Sequence, residues 1–298
     1  MINTILFFTL ATFWGGSFIA IKYLIVDIPA FTAAFYRVFF ATIFLILIYI
    51  KSFKFDSTLL NRELLFVSLA GLCSIGIPFS LLFWGEQYIS ASIAGILNGT
   101  VPFWTLLISL IFLSDSKKFT LRKFVGLLMG FLGIFFIFGP KIQVQGNINE
   151  IYGLLAITLM ALFYGIGTNL NRNIIIKNKS IKGSKNIIIQ HIVASIYLGV
   201  LAFSFDGAVN IDLLLKPSNM AALFYLSFIS TTLAFIIFFR LIKEIGSVEA
   251  SSVTFFVPAI ALILDILINS HILNMTEAVG TAIIFLSMIL LKERSSKG

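Results

Sequence analysis

The chain has almost no cysteine, little acid and little charge of any kind. Cys73 is its one cysteine, which excludes an intrachain disulfide and a thiolate metal site. It reads as a small buried apolar residue. Thirteen acids and two histidines form no metal-ligand spacing, and there is no nucleophile elbow or phosphate-binding glycine loop. Charged residues are 11% of the chain, against about 25% in soluble domains. No polar segment is long enough for a separate soluble domain. Proline is scarce too, with six in all, so prolines that recur at matched places carry weight.

What the chain has instead is apolar surface: 59% of its 298 residues are hydrophobic, more than a soluble core of this length would use. Lipid is expected to cover much of the outside. The runs fall at 2–21, 28–50, 64–83, 88–113, 121–139, 151–171, 187–206, 219–239, 247–268 and 275–291. Each is near the ~20 residues a helix needs to cross the hydrocarbon core. They are too long for barrel strands and do not alternate. The first lacks a basic flank and a small-residue cleavage site, so it reads as a membrane helix rather than a signal peptide.

The net charge of +8 invites a nucleic-acid reading, but the distribution argues against one. With ten spans, 17 of the 21 Lys and Arg lie on the side of the termini, in 51–63, 114–123, 172–186, 240–246 and 292–298. Lys22, Lys141 and Lys216 lie opposite, and Arg37 lies inside a span. This bias places both termini in the cytoplasm. Lys22, read as just outside the first span, is the local exception. The basic loops 51–63 and 172–186 are suited to anionic lipid heads.

The ten runs form two sets of five. Ala11-Thr12-Phe13-Trp14-Gly15 matches Ala161-Leu162-Phe163-Tyr164-Gly165, and Lys22 then matches Arg172. Further on, Phe79 to Pro102 matches Phe235 to Pro258, with identities at Phe79/Phe235, Phe83/Phe239, Ile89/Ile245, Ala94/Ala250, Val101/Val257 and Pro102/Pro258. Val125-Gly126 matches Val279-Gly280. An odd number of crossings inverts the second half relative to the first. Inverted repeats of this kind build a midplane site that can open to either side. The fold class expected is therefore an all-α integral membrane protein of ten transmembrane helices in two five-helix inverted repeats, 1–145 and 146–298.

The motif Phe13-Trp14-Gly15-Gly16-Ser17 resembles the opening of the drug/metabolite transporter superfamily, EamA family, ten-helix type. So does the run from Ala91 through Pro102 to Asp115, followed by Phe119-Thr120 and Gly126. The resemblance covers essentially the whole chain. It implies a cavity bounded by helices 1, 3, 4, 6, 8 and 9, and an acid near the ends of the fourth and ninth. Asp115 stands at the first such place, whereas the second has Asn269-Ser270.

The candidate substrate-binding residues follow from pairing and depth. Pro102 and Pro258 each remove a helical hydrogen bond and are expected to kink helices that line the path; a plain packing kink is the alternative. Asn98, one turn earlier, and its partner Thr254 offer hydrogen bonds to cargo or between helices. Trp14 and Ser17 lie mid-depth in the first span, as do Tyr164 and Thr168 in the sixth. Phe79 and Phe83 recur at i, i+4, as do Phe235 and Phe239; such stripes are more often core. Arg37 is the costliest residue in the membrane, suited either to a substrate carboxylate or to tying helices. His191 is its repeat partner. The acids all lie toward span ends. Glu86, Glu249, Asp265 and His191 are the only candidates to carry a proton; each is peripheral and more often reads as a helix-end charge facing water, so tight proton coupling is not expected.

The function expected is transport of small organic metabolites by alternating access, as an exporter of amino acids or related compounds in a bacterial-type inner membrane. The alternatives are a flippase for a lipid or lipid-linked sugar and, in another class, a membrane-embedded enzyme or scaffold. No cofactor, metal or nucleic acid is expected, the partners are the metabolite and membrane lipids, and a monomer is the expected state. The charge bias is directly testable. In a cysteine-free background, Gly146→Cys and Ser180→Cys should be labelled by an impermeant maleimide from opposite faces of the membrane. Labelling from one face would contradict the topology.

Overall fold

The computed structural model describes residues 2–51, 61–112, 120–141, 147–177, 183–207, 210–257, 259–260 and 274–291. Among these, every regular element is helical. In chain order, α1 comprises Ile2–Gly15 and Ser17–Asp27, α2 Ala30–Tyr49, and α3 runs from Asn61–Gly71 through a π turn at Leu72–Gly76 into Ile77–Gly85. α4 comprises Ala91–Asn98 and Val101–Phe112, α5 is Leu121–Phe138, and α6 is Ile148–Lys177. α7 is Gly183–Leu201, ending in a π turn at Ala202–Asp206. α8 runs from Pro217–Phe224 through a π turn at Tyr225–Leu233 into Ala234–Ile245. α9 begins at Ser247–Ser251 and tightens to a 3₁₀ turn at Ser252–Phe255, and α10 is Met275–Leu291.

Seven of these elements, α1 to α4 and α6 to α8, are long and apolar enough to cross a membrane; α10 is a shorter apolar helix. The first, sixth and eighth outrun the apolar bands at 2–21, 151–171 and 219–239. Their polar ends stay helical because they find partners inside the protein. Lys22 lies within α1 and donates to the main-chain carbonyls of Glu86 and Ile89, the latter at 3.1 Å. Asp27 ends α1 against Lys216 at 3.0 Å and Asn219 at 2.9 Å. Lys22 is therefore a helical residue and not a loop residue. Of the predicted ninth span, 247–268, only the first part is described.

Capping follows residue chemistry. Ser90 accepts from the Ile93 N–H at 3.3 Å to start α4, and Thr120 accepts from the Lys123 N–H at 3.3 Å to start α5. Asn274 and Glu277 cap α10 reciprocally, each side chain accepting from the other's backbone N–H at 2.9 and 3.0 Å, a capping box with Asn in the leading role. The π turn of α8 carries Ser230-Thr231-Thr232. Thr231 and Thr232 hydroxyls donate to the carbonyls five residues back at 2.7 and 2.9 Å, satisfying groups that the widened turn releases.

The helices pack through small residues, as expected where lipid gives no hydrophobic force between them. α5 and α10 form the most extensive helix pair. They meet at Gly133 and Gly280, where a Cβ on Gly280 would stand 2.6 Å from the Gly133 carbonyl oxygen. The obstacle is backbone, so a larger residue must push the helices apart, at a cost of about 1–3 kcal/mol. Gly280→Val should lower the melting temperature of the detergent-purified protein, while Val279→Ala, on the exposed face, should leave it unchanged. Equal melting temperatures for all three proteins would contradict this contact.

Candidate functional site

α1 and α8 meet where the Phe-Trp-Gly-Gly-Ser motif faces the π turn. Trp14 Nε1 donates to the Ser230 carbonyl at 3.1 Å, and the Ser17 and Ser230 hydroxyls bond to each other. Tyr225 OH donates to the Phe13 carbonyl at 2.9 Å. A Cβ on Gly16 would sit 2.5 Å from that hydroxyl oxygen, so only glycine permits this approach. α1 is interrupted at the same residue.

Arg37 of α2 closes on the same turn. It is 2% exposed. Its Nε donates to Thr231 Oγ1 at 2.8 Å, and one terminal nitrogen, Nη2, donates to Ser230 Oγ at 3.2 Å and reaches the Ser230 carbonyl at 3.4 Å. The other, Nη1, is buried without a hydrogen-bond partner. The guanidinium lies 4.1 Å from the Phe79 ring centroid and 5.9 Å from that of Phe83, a cation–π stack that partly replaces lost hydration.

Beside Arg37 is a cavity with an empty volume of about 640 Å³, open solvent included. α1 supplies Trp14, Ser17 and Phe18, and α2 supplies Arg37. α3 adds Phe79 and Leu82, α4 adds Asn98 and Val101, and α6 adds Tyr164 and Thr168. α8 closes it with Phe235 and Phe238, and α9 with Ser251, Thr254 and Val257. Edge contacts join the aromatic wall: Trp14 to Phe235 at 6.2 Å, Phe79 to Phe235 at 6.2 Å and Phe79 to Tyr164 at 6.4 Å between centroids. Among the described lining residues Arg37 is the one charged side chain. Such a site can hold an apolar body, hydrogen-bond polar groups and accept an anion.

Nine of the thirteen sequence candidates line this cavity: Trp14, Ser17, Arg37, Phe79, Asn98, Tyr164, Thr168, Phe235 and Thr254. Three others do not. Phe83 is fully buried one turn from Phe79, under the guanidinium. Pro102 is buried, but it does not kink a continuous helix. α4 breaks at Gly99-Thr100, Pro102 falls in the first turn of the second piece, and its neighbour Val101 lines instead. Phe239 is displaced by Phe238, because one residue is about 100° of rotation. Pro258 lies outside the described residues, as do Asp115, Asp265 and Asn269-Ser270. The helices that the family resemblance implies all contribute; α2 joins them through Arg37.

Other polar residues sit elsewhere. His191 is buried, with Nδ1 2.8 Å from the Ile187 carbonyl and its ring edge-on to Phe235 at 5.3 Å. Glu249 does not stand alone in water but pairs with Lys123 of α5. Glu86 is fully buried, against the expectation of a water-facing charge. Sequence reasoning also missed a network in which Gln190 donates to Asn171 at 2.6 Å and Asn186 at 2.8 Å and accepts from Ser74 at 3.0 Å.

The contacts recur in pairs. Lys22 donates to the carbonyl of Glu86, and its repeat partner Arg172 donates to the carbonyl of Ile242 at 3.1 Å; Ile242 is the residue matched to Glu86. Ser17 meets Ser230, and in the other half Gly167 lies against the matched Ser74. The π turns of α3 and α8 overlap in the same register.

Helices long enough to span a membrane, closed around an aromatic cavity holding one buried cation, define a multi-pass membrane protein built to accept a small molecule. The model of the EamA-like transporter family matches residues 1–139 and 151–292, and the chain belongs to that family. It is 27% identical over 260 residues to the uncharacterized transporter YoaV of Bacillus subtilis, covering 84% of this chain and 82% of that protein. It is 22% identical over 286 residues to the uncharacterized inner membrane transporter YedA of Escherichia coli, covering 95% and 88%. One crystal structure shares the fold at 14% identity with a TM-score of 0.79, over 97% of this chain and 95% of that chain.

The lining makes a rotational prediction for α8. At matched membrane levels, Trp14→Ala and Phe238→Ala should each reduce transport strongly, and Phe239→Ala should reduce it less. A larger loss in Phe239→Ala than in Phe238→Ala would contradict this placement of α8.

Proposed function

We propose that the protein is a carrier of small organic metabolites working by alternating access, an exporter of amino acids or related compounds in the inner membrane. The observation that carries this reading is the cavity itself, lined from both halves of the chain by aromatic, hydroxyl and amide groups around one buried arginine. A carrier needs a site shared between two bodies that can rock against each other. The family and its transporter relatives support the same class.

In this reading the chain has ten membrane helices in two inverted repeats, 1–145 and 146–298, with both termini cytoplasmic. Support comes from the paired contacts. Lys22 ties α1 to the end of α3, and Arg172 ties α6 to the end of α8. With the repeats inverted, these are matched clamps at opposite ends of the cavity, and opening one while keeping the other is the minimal alternating cycle. The substrate residues are the cavity-lining candidates, with Phe18, Phe238 and Ser251 added. Phe83 and Pro102 support them from behind.

Arg37 sets the preference for cargo. Thr231 and Ser230 hold two of its nitrogens while Nη1 has no partner. A substrate carboxylate that reaches Nη1 would satisfy it, and an aromatic or aliphatic body suits the wall. A charge-assisted hydrogen bond contributes about 1.5–3 kcal/mol, equivalent to roughly 10- to 100-fold. In proteoliposomes, Arg37→Gln should lose about that factor in transport of phenylalanine but little in transport of phenethylamine. Equal losses on both would assign Arg37 to structure alone.

A further inference from the structure

Glu86 follows α3 directly, and neither carboxylate oxygen meets a hydrogen-bond donor although the residue is 0% exposed. A carboxylate buried in this way is strongly disfavoured in its ionised form, and the usual relief is to hold a proton. The groups around it leave that as the economical state. Lys22 of α1 is the nearest cation, but its ammonium is spent on the main-chain carbonyls of Glu86 itself and Ile89, not on the carboxylate. Arg37 of α2 is the other cation whose charge acts on it and is engaged by Ser230 and Thr231. Asp27, further along α1, is taken by Lys216 and Asn219. α6 approaches the same turn with Gly153, Ala156 and Ile157, and its titratable side chain on that side is Glu150, at the start of the helix. α4 carries no titratable side chain over Ala91–Phe112.

The acid is an addition to one clamp of a matched pair. The residue matched to Glu86 in the other half is the apolar Ile242, whose carbonyl accepts from Arg172. We propose that Glu86 is a proton-binding site that couples a proton to release of the clamp between α1 and the end of α3. In the state described here the carboxyl is neutral and Lys22 stays on the carbonyls. When water reaches this end, the carboxyl O–H bond breaks and the proton passes to water. The carboxylate then draws the Lys22 ammonium into an ion pair, and the bonds to the carbonyls of Glu86 and Ile89 are given up. Taking up a proton reverses the sequence. This revises the expectation of uncoupled transport, because that expectation placed Glu86 in water.

Two experiments on the full-length purified protein test this, and only the second rests on the carrier reading. The first is a pH titration by difference infrared spectroscopy. The wild type should show the carbonyl stretch of a protonated carboxyl at neutral pH, and Glu86→Gln should lack it. A wild type without that band, or a variant that retains it, overturns the proposal. Should Glu86→Gln not fold, carbodiimide labelling of the wild type decides instead: an adduct at Glu86 that declines as pH rises supports it, and no adduct overturns it. The second is flux of phenylalanine in proteoliposomes. An imposed pH gradient should stimulate the wild type several-fold and leave Glu86→Gln unaffected, while that variant retains exchange of labelled for unlabelled substrate. A variant that responds to the gradient like the wild type overturns the coupling. A wild type with no flux on any substrate contradicts the carrier reading and leaves the infrared result to decide the proton site.

Discussion

A guanidinium buried inside an apolar membrane protein is the constraint on which much of the interior depends. Centred in a bilayer, an arginine costs about 2.5–3.5 kcal/mol on insertion scales. Here the charge is met by an aromatic face at 4.1 Å and by three oxygen contacts, all from two consecutive residues of α8. Those residues occupy a π turn, where a widened helix presents carbonyl and hydroxyl groups that a regular α-helix would keep to itself. The same turn binds Trp14 and Ser17. One irregularity of backbone thus joins α1, α2 and α8, and it places an aromatic wall beside a cation.

The rest of the cavity follows from that junction. With Trp14 fixed by its indole N–H, its ring reaches Phe235 and Phe238 at 6.2 and 5.2 Å. Phe79, stacked under the guanidinium, turns its edge to Phe235 and Tyr164. The two halves of the chain meet here through these rings together with the hydrogen bonds that Trp14, Ser17 and Arg37 make to the turn of α8. Ring contacts tolerate small rotations better than directional hydrogen bonds do. The Lys22 and Arg172 clamps each lie within one half, tying α1 to the end of α3 and α6 to the end of α8.

Depth along a helix was legible in the sequence, and rotation about it was not. Repeat pairing and apolar length were enough to find Trp14, Arg37, Phe79, Tyr164 and Thr254. The error between Phe239 and Phe238 is one of rotation, downstream of a π turn that no propensity scale registers. The Ser230-Thr231-Thr232 run carried a signal, three consecutive hydroxyls inside an apolar span, but its partner Arg37 stands nearly 200 residues away in the chain. Lys22 was misread because a lysine near the edge of an apolar band looks like a loop residue until its main-chain acceptors are seen. Glu86 was misread for the same reason: position relative to a span end says nothing of what packs over it. The break of α4 at Gly99-Thr100 made Pro102 a helix-starting residue rather than a kink, in the first-turn position that proline tolerates.

The central claim is that one cavity, shared between the halves and exposed alternately, carries a small metabolite across the membrane. Counterflow tests this most directly. Vesicles holding the purified protein and a high concentration of unlabelled phenylalanine are diluted into trace labelled phenylalanine. A carrier predicts a transient accumulation of label above its equilibrium level, because outgoing substrate returns the site to the side where label waits. Label that rises only to equilibrium, at the rate seen in protein-free vesicles for this and every other metabolite tried, would contradict the account.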